Sequence, residues 1–123
     1  MSAAPGGARA TEIRLRRADR ILEVAFDDGS RFAFPTELLR VESPSAEVQG
    51  HGAGQKKTVA GRRHVNIMEI EPVGNYAIRL IFDDLHDTGI YSWSYLYELG
   101  RNMDARWNAY LAALSAQGLS RDP

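Results

Sequence analysis

The chain has 123 residues, enough for one domain with one hydrophobic core. Its 15 Lys and Arg nearly balance 16 Asp and Glu, so a formal net charge of −1 provides no long-range field for nucleic acid or an anionic membrane. The lack of cysteine excludes disulfides, thiolate zinc sites, cysteine-ligated iron–sulfur clusters and cysteine nucleophiles within this chain.

Residues Met1 to Ala10 are small and Gly/Ala-rich, lack the apolar stretch of a secretory signal, and read as a disordered tail. No apolar run approaches the roughly 20 residues that span a bilayer, so a cytoplasmic protein is expected. A single domain is expected over residues 11–117. Glu12 to Arg16 alternates polar and apolar residues, the period of a half-buried strand. Ile21 to Phe26 reads as a second strand, Asp27-Asp28-Gly29-Ser30 as a hairpin turn, and Arg31 to Phe34 as the returning strand. Pro35 opens a short helical turn near 36–41, because its fixed φ suits the start of a helix.

Residues 43–62 read as a long loop with four glycines. Strands resume at His64 to Ile70 and Tyr76 to Phe82, joined by a turn at Pro72 to Asn75. A turn over Asp83 to Asp87 leads to a short strand, Thr88 to Tyr91. Ser92 is placed to cap a helix over Trp93 to Leu99, with Gly100 as its exit. Asn102 to Gln117 is the clearest helix, its stripe being Trp107, Tyr110, Leu111 and Leu114. Residues 118–123 read as a tail. Strands followed by helices predict an α+β fold, mainly antiparallel sheet built from hairpins, with two C-terminal helices.

Most chemical motifs fail on spacing. In Gly50-His51-Gly52-Ala53-Gly54-Gln55-Lys56-Lys57-Thr58, Gln55 separates the last glycine from the lysines, and no strand–loop–helix context surrounds the run. It is not a P-loop. Arg14, Arg16, Arg17 and Arg20, and the Arg62-Arg63-His64 run, read as solvated faces balanced by acids, so nucleic acid is not an expected partner. There is no His-x-Asp pair, His-Glu-x-x-His or Gly-x-Ser-x-Gly elbow. Among the three histidines, His86 sits between Asp83, Asp84 and Asp87. Such acids tend to raise a histidine pKa and would make it a charged or ligating residue. The favoured reading is instead an Asp-rich hairpin turn in which the histidine is a hydrogen-bond donor.

Two segments carry a family resemblance. The run Phe82-Asp83-Asp84-Leu85-His86-Asp87-Thr88-Gly89-Ile90-Tyr91-Ser92-Trp93 continues as Tyr95-Leu96-Tyr97-Glu98-Leu99-Gly100. With Leu39-Arg40-Val41-Glu42-Ser43-Pro44-Ser45-Ala46-Glu47-Val48, it resembles the domain family named for the N-terminal part of gamma-butyrobetaine hydroxylase. Stand-alone bacterial members of that family were long described as of unknown function. The likeness covers roughly Glu12 to Leu114 and implies a mainly antiparallel β domain with accessory helices. In the carnitine-pathway hydroxylases the domain precedes a separate catalytic oxygenase domain and holds a structural zinc through three cysteines and a histidine. Other copies are attached to P-loop iron–sulfur carriers in plastids.

The present chain departs from that pattern. Ser43, Ser45 and Val48 stand at the cysteine positions, and His86 alone matches the fourth ligand. Leu85 replaces a glycine common before that histidine. Two hydroxyls, a valine and one imidazole do not form a tetrahedral zinc site, and no cofactor is expected. The resemblance leaves one metal alternative: an iron or zinc protein, or a small metal-dependent enzyme, centred on His86. Asp87, Glu42, Glu47 or His51 would supply its further oxygen and nitrogen ligands. The expectation is a non-catalytic interaction module whose partner belongs to iron–sulfur or metal-cofactor metabolism. Its surface would comprise Ser43, Ser45, Glu47, His51, His86 and Asp87, where the two family segments meet. With no metal, a Ser43 or Ser45 hydroxyl is expected to bond to His86.

Overall fold

The computed structural model of the protein describes residues 8–50 and 54–123. Among the described residues, six strands form two three-stranded antiparallel sheets, ordered β1-β2-β3 and β4-β5-β6. The first contains β1 (Ala10–Arg16), β2 (Ile21–Phe26) and β3 (Arg31–Pro35). The second contains β4 (Ile67–Val73), β5 (Ala77–Phe82) and β6 (Gly89–Ser92). Four helices complete the α+β fold: α1 (Thr36–Val41), α2 (Ala46–Gln49), α3 (Trp93–Arg101) and α4 (Met103–Ala116).

Gly29 turns the β2–β3 hairpin at φ +90°, a conformation that costs a residue without Cβ little. The register then places Val24 opposite Phe32 and Leu22 opposite Phe34. Both sheets feed one core: Leu22, Val24 and Phe34 from the first meet Leu80, Phe82 and Tyr91 from the second. Leu38 and Leu39 of α1 and Leu96 and Leu99 of α3 join them. A smaller cluster gathers Val41, Val48 and Val59 against Tyr110 and Leu114 of α4.

Several elements differ from the sequence expectation. The N-terminal boundary moves: Ala8 is buried in the core, Asp27 N donates to Arg9 O at 2.9 Å, and β1 starts at Ala10. Residues 1–7 of the expected tail lie outside the described residues. Strand β4 begins at Ile67 rather than His64 and runs through Pro72, which sits opposite Ile78. Pro72 is tolerated because β4 is an edge strand. A bulge between Ile67 and Glu69 breaks the alternation. The long loop contains α2, capped by Ser45, whose Oγ accepts from Glu47 N at 3.1 Å.

Gly100 lies inside α3 instead of ending it. A Cβ there would stand 2.4 Å from Phe32 Cγ, so this glycine admits the aromatic ring. The α4 stripe is narrower than expected, with Tyr110 and Leu114 buried but Leu111 exposed. Residues 120–122 are docked. Gly61 N donates to Ser120 O at 2.9 Å and Arg63 N to Arg121 O at 3.0 Å. The Arg121 guanidinium grips buried Glu37 through two bonds of 2.8 and 2.9 Å.

Candidate functional site

The chain leaves α1 at Glu42, passes Ser43, and turns into α2 at Ser45. Opposite it stands the β5–β6 turn carrying Asp84 to Thr88. Ser43 Oγ lies 2.9 Å from His86 Nε2, and Ser45 Oγ lies 2.7 Å from Thr88 Oγ1. His86 Nδ1 is 3.2 Å from Glu47 Oε1. Ionised Glu47 can only accept, so Nδ1 carries the proton and Nε2 accepts from the Ser43 hydroxyl. Ser45 N in turn donates to Ser43 Oγ at 3.2 Å. Gly89 makes this approach possible, since a Cβ there would come within 2.6 Å of Ser43 Oγ.

Behind the imidazole, Asp84 holds three donors. Its Oδ1 accepts from His86 N at 3.1 Å, and its Oδ2 accepts Nε of both Arg40 and Arg62 at 2.7 Å. These bonds outweigh the effect of burial and lower the Asp84 pKa. His86 moves opposite to the sequence expectation. Burial first, then the positive charge of Arg40, lowers its pKa below the ordinary 6.5, against the pull of Glu47 and Asp84. The acids adjacent in sequence are spent elsewhere: Asp83 Oδ1 accepts from Asn66 N, and the Asp87 carboxylate pairs with Arg79 at 3.7 Å.

Of the expected surface residues, the structure brings together Ser43, Ser45, Glu47 and His86. Asp87 pairs with Arg79 instead, and His51 lies outside the described residues. Glu42 faces away and binds Lys56 and Arg106. Sequence reasoning missed Arg40, Arg62 and Thr88. Nothing in the sequence marks Arg40 as buried, yet its side chain is only 9% exposed and its Nη1 is buried without a partner.

The Ser43–His86–Glu47 chain has the polarity of a hydrolytic relay, with serine on Nε2 and acid on Nδ1. Its exposure is inverted. Such a relay needs an accessible hydroxyl and a shielded acid, whereas Ser43 is 0% exposed and the Glu47 side chain 64% exposed. The hydroxyl is also fixed by Ser45 N. The arrangement closes a corner of the fold.

A tetrahedral zinc site does not fit these donors. Both nitrogens of His86 are engaged, Ser43 and Ser45 spend their hydroxyls on His86 and Thr88, and Val48 is buried in an apolar cluster. Among the described residues, no group of three or more His, Cys, Asp or Glu is placed to hold a metal ion. Nor, among them, is any helix long and apolar enough to cross a membrane.

Comparison with known proteins agrees with this architecture. Over its full length the chain is 49% identical to a protein solved in solution by NMR, covering 92% of it with a TM-score of 0.84. A second NMR structure is 44% identical, with 95% of this chain covering 93% of that one at a TM-score of 0.82. A crystal structure of a protein of unknown function from Acidithiobacillus ferrooxidans, a member of the DUF971 family, is 39% identical. There, 75% of this chain covers 92% of that one at a TM-score of 0.64. No match is found among proteins with curated descriptions. The family model described as gamma-butyrobetaine hydroxylase-like, N-terminal, matches residues 13–97, and the chain belongs to that family.

Proposed function

We propose that the protein is a non-catalytic interaction module that presents the β5–β6 turn and the start of α2 to a protein partner. Leu85 carries this reading. It is 78% exposed and held at φ +73°, a left-handed conformation that costs a residue with Cβ about 1–2 kcal/mol. Strain of this kind persists where the surrounding structure imposes it and clusters at functional positions. Here the Phe82 carbonyl fixes Leu85 N at 3.0 Å, and Asp84 fixes the next amide. The turn thus projects an apolar side chain next in sequence to His86, whose imidazole holds the exposed carboxylate of Glu47. The complementary partner surface is an apolar pocket with a basic rim. Copies of this domain in the resembling proteins direct the search toward iron–sulfur and metal-cofactor metabolism.

Leu85→Gly tests the reading cleanly. Glycine relieves the strain but loosens the unfolded chain, so folding stability stays level or rises by up to about 1 kcal/mol. Affinity capture from an extract of the source cells is run with parent and variant side by side. A protein retained by the parent and lost from folded Leu85→Gly supports the proposal. Identical capture by both overturns it.

A further inference from the structure

The His86 corner does not absorb the lysines that follow the glycine-rich run. Lys56, Lys57 and Thr58 line a cavity of about 250 Å³ between their own segment and α4. Two alanines, Ala109 and Ala113, face it one helical turn apart and leave the space unfilled. Val41 and Tyr110 add apolar wall.

The charge of this cavity is one-sided. Its single carboxylate, Glu42, is 3% exposed and already neutralised by Lys56 Nζ at 2.7 Å and Arg106 Nη1 at 2.5 Å. Lys57 makes no ion pair among the described residues. Thr58 Oγ1 accepts from Gln117 Nε2 at 2.8 Å, which leaves its own proton to donate. Lys57, with no carboxylate paired to it among the described residues, and Thr58, with a proton left to donate, thus line the same cavity as the apolar wall, in a protein whose overall charge is −1.

We infer that this cavity binds a small organic anion, a carboxylate or phosphate ester with a compact apolar body. Lys57 and Thr58 hold the anionic head, and the body rests on Ala109, Ala113 and the Tyr110 ring. Glu42 keeps Lys56 and Arg106 in place and repels a second anionic group at the cavity floor. The glycine-rich run therefore ends at an anion site of a different design from a P-loop, with no helix N-terminus involved.

The test is a titration of the labelled protein, followed by amide NMR, with benzoate, phenyl phosphate and inorganic phosphate separately. Saturable shifts at Lys57, Thr58, Ala109 and Ala113 with either organic anion are expected, and the tighter of the two identifies the preferred head group. Lys57→Glu should weaken binding by at least about tenfold, the scale of one lost charge-assisted contact. Ala113→Leu should block the organic anions, and Ala109→Leu serves if that variant does not fold. Arg14→Glu, reversing an exposed charge on β1, should leave binding unchanged. Shifts that fail to saturate, that persist in Lys57→Glu, or that inorganic phosphate reproduces with equal affinity overturn the inference.

Discussion

His86 supports the fold better uncharged than charged. Its folded pKa lies below the ordinary 6.5, so the unfolded chain takes up the proton more readily than the native one. The stability it contributes is complete above pH 6.5 and is lost as pH falls through the lower folded value. Urea unfolding should show stability declining from pH 6.5 downward, and His86→Gln should flatten the first part of that decline. An unchanged slope in the variant would show that another group titrates there. The meeting of Ser43 with His86 was legible from the family segments, since relatives join those positions through a metal. The direction of the pKa shift was not. Arg40 comes from a distant helix, and the carboxylates of Asp83 and Asp87, although adjacent in sequence, engage Asn66 and Arg79 instead.

Among the elements, those governed by local chemistry were readable from residue order alone. The Gly29 hairpin, the proline-started α1 and the Ser92 cap of α3, where Ser92 Oγ accepts from Tyr95 N at 3.1 Å, all follow from nearest neighbours. Gly100 resisted because its reason is tertiary. Phe32 packs edge-on against Phe26 and Tyr97, with centroids at 5.9 and 5.7 Å, and its ring lies against the Gly100 backbone. Alanine has the higher helix propensity, by about 1 kcal/mol, yet its methyl group has no room. Gly100→Ala is expected to destabilise by about 1–3 kcal/mol, the usual cost of overpacking, measured by urea denaturation. A stabilised variant would mean that the Phe32 ring moves aside freely. Pro72 was misread for a similar reason, because only the sheet order reveals that β4 is an edge strand.

At the scale of the whole molecule, two sheets share one core, and the 120–122 segment closes over α1 and residues 61–63. The sequence reads this segment as a tail because Gly118 ends the last helical pattern. Its anchor is one side chain: Arg121 grips Glu37 and lies over the Trp107 ring at 5.0 Å. The Glu37 side chain is 7% exposed, so Arg121→Ala would leave a carboxylate without its cation in a poorly solvated place. The expected loss is about 2–3 kcal/mol, the penalty for an unpaired buried group with charge. A shift in the urea midpoint corresponding to less than about 0.5 kcal/mol, the range of ordinary surface substitutions, would show that solvent reaches Glu37.

This clasp also has a bearing on synthesis. Glu37 is translated 84 residues before the arginine that neutralises it. At roughly 5–20 residues per second, that interval lasts about 4–17 s. Throughout it, a nascent chain that docked α1 would have to bury a carboxylate with no counter-charge. Until residue 121 arrives, docking that end of α1 is less favourable by about the same 2–3 kcal/mol.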